Sequence, residues 1–223
     1  MKNTFKFLLL PLAVVCLSTA QAQTAGSWLV RVGATNVTPK VSSGDLTAPT
    51  LPGTKVSVGG STRLSGGITY MVDNNIAVDL PLALPFTSKL SGDGALDGVG
   101  KLGDTKVLPI TLFGQWHFLE SKDKFRPYVG LGLTYAKFYD TRATSTLSAV
   151  TGGSPSNPTT MSIQSKWAPT FQVGAKIALD ERWFVDAHYA HTQLSNRTTL
   201  STGQTIDVKL NPSIFALALG YRF

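Results

Sequence analysis

From Phe215 to Phe223 every second residue is large and apolar: Phe215, Leu217, Leu219, Tyr221 and Phe223 alternate with Ala216, Ala218, Gly220 and Arg222. Side chains switch faces at each step of an extended strand, so this period requires a β-strand with one greasy face. The same alternation runs through Trp28/Val30/Val32/Ala34, Leu64/Gly66/Ile68/Tyr70, Ile76/Val78/Leu80/Leu82/Leu84, Leu108/Ile110/Leu112/Trp116/Phe118, Val129/Leu131/Leu133/Tyr135, Phe171/Val173/Ala175/Ile177 and Trp183/Val185/Ala187/Tyr189. Beyond the N-terminal segment, no stretch keeps a helical period or reaches the ~18 consecutive apolar residues of a spanning helix. The candidates are instead roughly ten residues long, the length with which a tilted strand crosses a bilayer.

The opposite faces carry Arg31, Arg63, Ser65, Thr69, Asp79, Thr111, Gln115, Gly130, Gly132, Gln172, Lys176, Asp186 and His188. In a soluble sandwich the apolar face is the core, whereas in a membrane barrel it meets lipid and the polar face lines the lumen. Loop lengths favour the barrel. Short connections at Val72 to Asn75, Leu119 to Phe125 and Leu179 to Arg182 alternate with long ones at Thr38 to Gly60, Thr87 to Gly103, Thr141 to Thr160 and Ser195 to Ile206. Trp28, Tyr70, Trp116, Phe118, Trp183, Tyr221 and Phe223 all fall at the short-turn ends, where an interfacial girdle belongs.

The N-terminus reads as an export signal. Lys2 and Lys6 precede an apolar run from Phe7 to Leu17, and Ala20-Gln21-Ala22 offers an A-x-A cleavage site. Residues 1–22 are therefore expected to be a cleavable signal peptide and residues 23–223 the barrel. The single cysteine, Cys16, lies inside the apolar run and leaves with it, so no disulfide or thiol chemistry is expected. The formal charge is +7, but Lys and Arg are scattered singly, which suits lipid head groups rather than nucleic acid.

Four stretches resemble the OmpW family with its AlkL-type members: Asn75-Ile-Ala-Val-Asp-Leu80, Phe125-Arg-Pro-Tyr-Val-Gly-Leu-Gly132, Lys166-Trp-Ala-Pro-Thr-Phe-Gln-Val-Gly174, and Leu210-Asn-Pro-Ser-Ile-Phe215 running on to Gly220-Tyr-Arg-Phe223. The resemblance implies an all-β, eight-stranded antiparallel transmembrane β-barrel with short periplasmic turns and long extracellular loops, in the outer membrane of a Gram-negative bacterium. It also implies a narrow, partly hydrophobic interior associated with passage of small hydrophobic molecules. The tryptophan expected at its apolar gate falls at Trp167, although an outer-girdle role for Trp167 stays open. A leucine expected after Val-Asp-Leu is here Pro81. The terminal Phe223 resembles the signal by which the barrel assembly machinery recognises such chains.

An eight-stranded barrel is filled by its own side chains, so an open aqueous pore is not expected. Arg31, Arg63, Asp79, Lys176 and Asp186 fall on the lumen face by parity and are expected to form an ionic plug, or simply to fill and neutralise the interior. Proline lacks the ladder donor and avoids central strands, yet Pro81, Pro85, Pro109, Pro169 and Pro212 lie in strand candidates. If Ile76 sits opposite Phe118, Pro85 sits opposite Pro109 and the wall is weakened there. The expected route for a solute then passes Phe86, Phe138 and Trp167 and leaves sideways at Pro85 and Pro109. The alternative is that these prolines mark rim bulges.

Other classes remain as alternatives: a structural or adhesive surface barrel acting through its loops, or an outer-membrane lipid-modifying enzyme. For the enzyme, Asp186 and His188 share a strand face in a way that could orient an imidazole, but no serine is placed beside them. His188 and His191 fall on opposite faces and cannot share a metal, so neither metal nor cofactor is expected. Gly92-Asp93-Gly94 to Asp97-Gly98 lacks the spacing of a calcium loop and reads as a turn. Thr144 to Thr160, rich in Thr, Ser, Gly and Pro, reads as an exposed, mobile loop.

Overall fold

The alternating apolar residues point outward. Val32, Leu64, Leu131 and Phe171 are each half or more exposed, while Arg31, Thr69, Asp79, Gln115, Gln172, Lys176 and Asp186 between them are buried. A soluble sandwich would show the reverse, and only a lipid surround makes this pattern favourable. The computed structural model describes residues 23–50 and 52–223; the signal peptide expected over residues 1–22 lies outside the described residues.

The elements are β1 Trp28–Thr38, β2 Ser42–Ser43, β3 Thr54–Val58, β4 Ser61–Met71, β5 Ile76–Ala83, β6 Phe86–Gly94, β7 Lys101–His117, β8 Phe125–Ala143, α1 Ser145–Thr151, β9 Met161–Ile163, β10 Lys166–Ala178, β11 Trp183–Thr192, β12 Ser195–Leu200, β13 Thr205–Lys209 and β14 Ser213–Arg222. Antiparallel pairing runs from β7 through β5, β4, β1, β14, β11, β10 and β8 and returns to β7, which closes an eight-stranded barrel. Apart from one break between β5/β6 and β7, closure leaves no exposed edge in the hydrocarbon layer, where an unpaired backbone group is costly. The strand beside β7 is in two pieces, β5 in the lower wall and β6 above it, each pairing with β7.

At the short-turn end an aromatic girdle is present. Trp28 stands opposite Tyr70, and Trp183 opposite Tyr221. Ring centroids are 4.7 Å apart in the first pair and 5.1 Å in the second, and Phe223 lies 4.9 Å from Tyr221. The amide of Phe223 donates to the carbonyl of Trp28 at 2.8 Å, joining the last residue to the first barrel strand.

The long connections fold. β3 pairs with β6, and β2, β13, β12 and β9 form a second, four-stranded sheet beyond the barrel rim. Thr144 to Thr160, expected as a mobile loop, instead begins with α1, whose N-terminus is capped by Thr144 accepting from the Leu147 amide at 3.3 Å. Leu147 from this helix packs with Leu46, Leu102, Leu200, Ile206 and Val208 into an apolar canopy core. These residues come from four separate connections, so each looks like an isolated hydrophobe until the chain folds.

Candidate functional site

The lower lumen is a polar plug assembled from inward positions of seven strands. Arg31 on β1 donates to both oxygens of Asp79 on β5, at 2.6 and 2.8 Å, and to Thr69 on β4 at 2.9 Å; Thr69 in turn donates to Asp79 at 2.6 Å. Glycine makes room for it: a Cβ at Gly67 would lie 2.7 Å from the Arg31 guanidinium. A second group centres on Asp186, which accepts from the Tyr128 hydroxyl at 3.1 and 3.2 Å and pairs with His188 Nδ1 at 3.0 Å. Lys176 lies over the Tyr128 ring, 4.9 Å from its centroid, and 3.5 Å from His117 Nε2. His117 bonds Gln115, which donates to Gln172 at 2.8 Å. Buried charges persist only when paired or hydrogen-bonded, and here most of them are.

Below this, Arg126 donates to the side chain and carbonyl of Gln23 and to the Asn74 carbonyl, at 3.1, 3.3 and 2.6 Å. It ties the N-terminal segment and the first short turn to the barrel mouth. Arg126, Tyr128 and His117 were not singled out from the sequence, although they hold the same inward parity as Gly130 and Gln115. Arg63 does not join the plug. It reaches upward instead, donating to the Pro85 carbonyl and the Thr87 hydroxyl, each at 3.3 Å.

Above the plug lies a cavity, floored by Arg31, Phe113 and His188 and roofed by the canopy leucines. Thr111, Thr134, Thr170 and Thr192 cross it as a chain of hydroxyls on β7, β8, β10 and β11, with successive oxygens 2.7, 2.6 and 3.0 Å apart. Pro81, Phe86, Phe138 and Pro109 line this cavity and Pro85 does not. Trp167 is corrected as a gate: it is 60% exposed on the outer face, 4.9 Å from the Tyr135 ring, while its neighbour Ala168 is buried with Ala136 and Leu194. Alternation decides this, because Trp167 shares the parity of Phe171 and Val173.

Beside the cavity the barrel wall is interrupted. β5 pairs with β7 only as far as Asp79 opposite Phe113, and pairing resumes on β6 with Phe86 opposite Val107. Between these points Leu80 to Pro85 on one side and Leu108 to Leu112 on the other have no mutual ladder, although Ser65 to Ile68 of β4 still pair with Leu80 to Ala83 and β8 still pairs with Leu108 to Leu112. The two sides differ in length by one residue, so no continuous register could join them. The expected register is also corrected: Ile76 faces Trp116, not Phe118. The register beyond the break, continued by one residue, sets Pro85 beside Leu108 rather than Pro109. Pro81, Pro85 and Pro109 nonetheless all border the break, and each removes an amide that would otherwise face lipid unpaired.

The OmpW family model matches residues 24–223. Outer membrane protein W of Vibrio cholerae is 32% identical over 206 residues, covering 91% of each chain. Outer membrane protein AlkL of Ectopseudomonas oleovorans is 29% identical over 203 residues, covering 89% of this chain and 83% of its own. The crystal structure of the outer membrane protein OprG from Pseudomonas aeruginosa superposes with a TM-score of 0.81 at 29% identity, covering 91% of this chain and 99% of that one. The family match over nearly the whole described chain, with the barrel shared by the superposed structure, places the protein: the chain belongs to the OmpW family of outer-membrane β-barrels of Gram-negative bacteria.

Proposed function

We propose that this barrel passes small hydrophobic molecules inward from the cell surface and releases them sideways into the outer membrane. The observation that carries the reading is the interrupted ladder between β5/β6 and β7, placed directly beside an apolar cavity. The plug of Arg31, Asp79, Tyr128, Lys176 and Asp186 fills the bore beneath, so a greasy solute gains nothing by continuing down: it would have to displace paired charges and their hydrogen bonds. The break lies at the level of the cavity floor, and its outer lip carries Leu82, Leu84, Ile110 and Leu112, all exposed to lipid. Phe86 and Phe138 narrow the path between canopy and floor. The barrel assembly machinery, reading Phe223, is the second partner we propose.

Replacing Pro85 and Pro109 together by Val tests the reading, with uptake of the hydrophobic dye N-phenyl-1-naphthylamine measured in cells and heat-dependent gel mobility used to verify folding. The restored donors let the lips bridge the break around a one-residue bulge, and uptake is expected to fall several-fold. Folded variant with unchanged uptake would remove the side exit.

A further inference from the structure

The cavity is not uniformly apolar, and its deepest part carries one hydrogen-bonding atom that the protein leaves unused. His188 is 8% exposed and lines the floor. Its Nδ1 is committed to the Asp186 carboxylate at 3.0 Å. A carboxylate also accepting from Tyr128 is acceptor-only, so Nδ1 carries the proton and donates, and in the neutral imidazole Nε2 is then a lone-pair acceptor. Among the described residues Nε2 has no protein partner, and it is not sealed from the cavity as the unpaired His117 Nδ1 is.

Just above, the four threonine hydroxyls make three mutual contacts. Each contact consumes one O–H, so one hydroxyl proton of the chain is unspent within it. The floor thus offers an acceptor and a donor beneath walls of Leu, Val and Phe. It offers no unpaired cation: the Arg31 guanidinium is paired with Asp79, and Lys176 is not part of the cavity lining but sits against His117 and Tyr128.

We infer that the cavity selects hydrophobic molecules carrying one neutral hydroxyl, an alcohol or a phenol, seated hydroxyl-down with its O–H donating to His188 Nε2. A plain hydrocarbon leaves Nε2 dry and unpaired; an ether of the same size lacks the proton to satisfy it. A carboxylate brings a charge next to Asp186 with no free cation to meet it. This rests on the cavity being a solute passage, and it adds the head group that the passage recognises.

The test uses the full barrel in lipid nanodiscs, with heats of binding corrected by empty discs, and three probes that differ only at one end: 4-butylphenol, butylbenzene and 4-butylanisole. The wild-type chain is expected to bind the phenol about fivefold more tightly than the other two, the worth of one net hydrogen bond. His188→Phe is expected to bring all three to one affinity without weakening butylbenzene, and His188→Gln, which keeps an acceptor oxygen, to restore part of the preference. Equal binding of the three probes by the wild type, or a preference that survives His188→Phe, overturns the hydroxyl site and leaves the passage standing. Absence of binding by any probe overturns both.

Discussion

The lower and upper halves of this lumen are made by the same strands with the same alternation, yet they solve the filling of a narrow bore in opposite ways. Below, Arg31 and Asp79 are joined by short hydrogen bonds, Tyr128 bonds Asp186, Lys176 lies over the Tyr128 ring, and the space is used up. Above, Phe86, Phe138, Ala136 and the canopy leucines leave a cavity, and the wall beside it stays open between Asp79 and Phe86. The difference is one of commitment. A polar plug is stable only when nearly complete, because a half-satisfied buried charge is worse than none. An apolar chamber tolerates vacancy, because its lining makes no directional demands and a void costs only lost dispersion contacts.

Breaking the plug should therefore have the largest effect. Asp79→Ala strands the buried Arg31 guanidinium and is expected to cost about 3–5 kcal/mol of folding stability. Urea unfolding in nanodiscs, followed by tryptophan fluorescence, measures it; a loss below about 1 kcal/mol would mean the plug is not cooperative. In the upper half, Leu102→Ala opens a void in the canopy core and is expected to cost about 2–4 kcal/mol there. Its signature is local: hydrogen exchange should accelerate in β12 and β13 and stay unchanged around Arg31. Faster exchange in both halves would show that they unfold as one unit. The smallest effect falls on the outer face. Trp167→Ala removes a lipid-facing ring from Tyr135, about 1 kcal/mol at most, and dye uptake should match the wild type. A severalfold drop in uptake would return Trp167 to the passage.

Alternation made the strands, the lipid face and the inward polar residues legible, because period two is a local property that survives errors in pairing. It also contained the answer for Trp167, two steps of the same parity from Phe171; the family pattern pointed inward and the strand parity was the better guide. The register between β5 and β7 was not legible. These strands are joined through the long β6 to β7 hairpin, so their offset is set by barrel closure rather than by a tight turn. The error was two residues below the break, which preserves every inward or outward assignment there, and one residue beyond it, which sets Pro85 beside Leu108 rather than Pro109. The canopy was equally hidden: Leu46, Leu102, Leu147 and Leu200 are single hydrophobes in stretches rich in Thr, Ser and Gly, and nothing local says that they meet.

By itself, then, the sequence determined that this chain is a closed, lipid-facing barrel with a polar bore, since backbone groups in hydrocarbon must pair and alternate side chains must face opposite surroundings. Tertiary structure alone decided which polar residues pair, where the wall fails to pair, and that His188 faces a chamber with one nitrogen unspent. Those outcomes depend on distances between strands far apart in the chain, and such distances follow from closing the barrel, not from the pattern along any one strand.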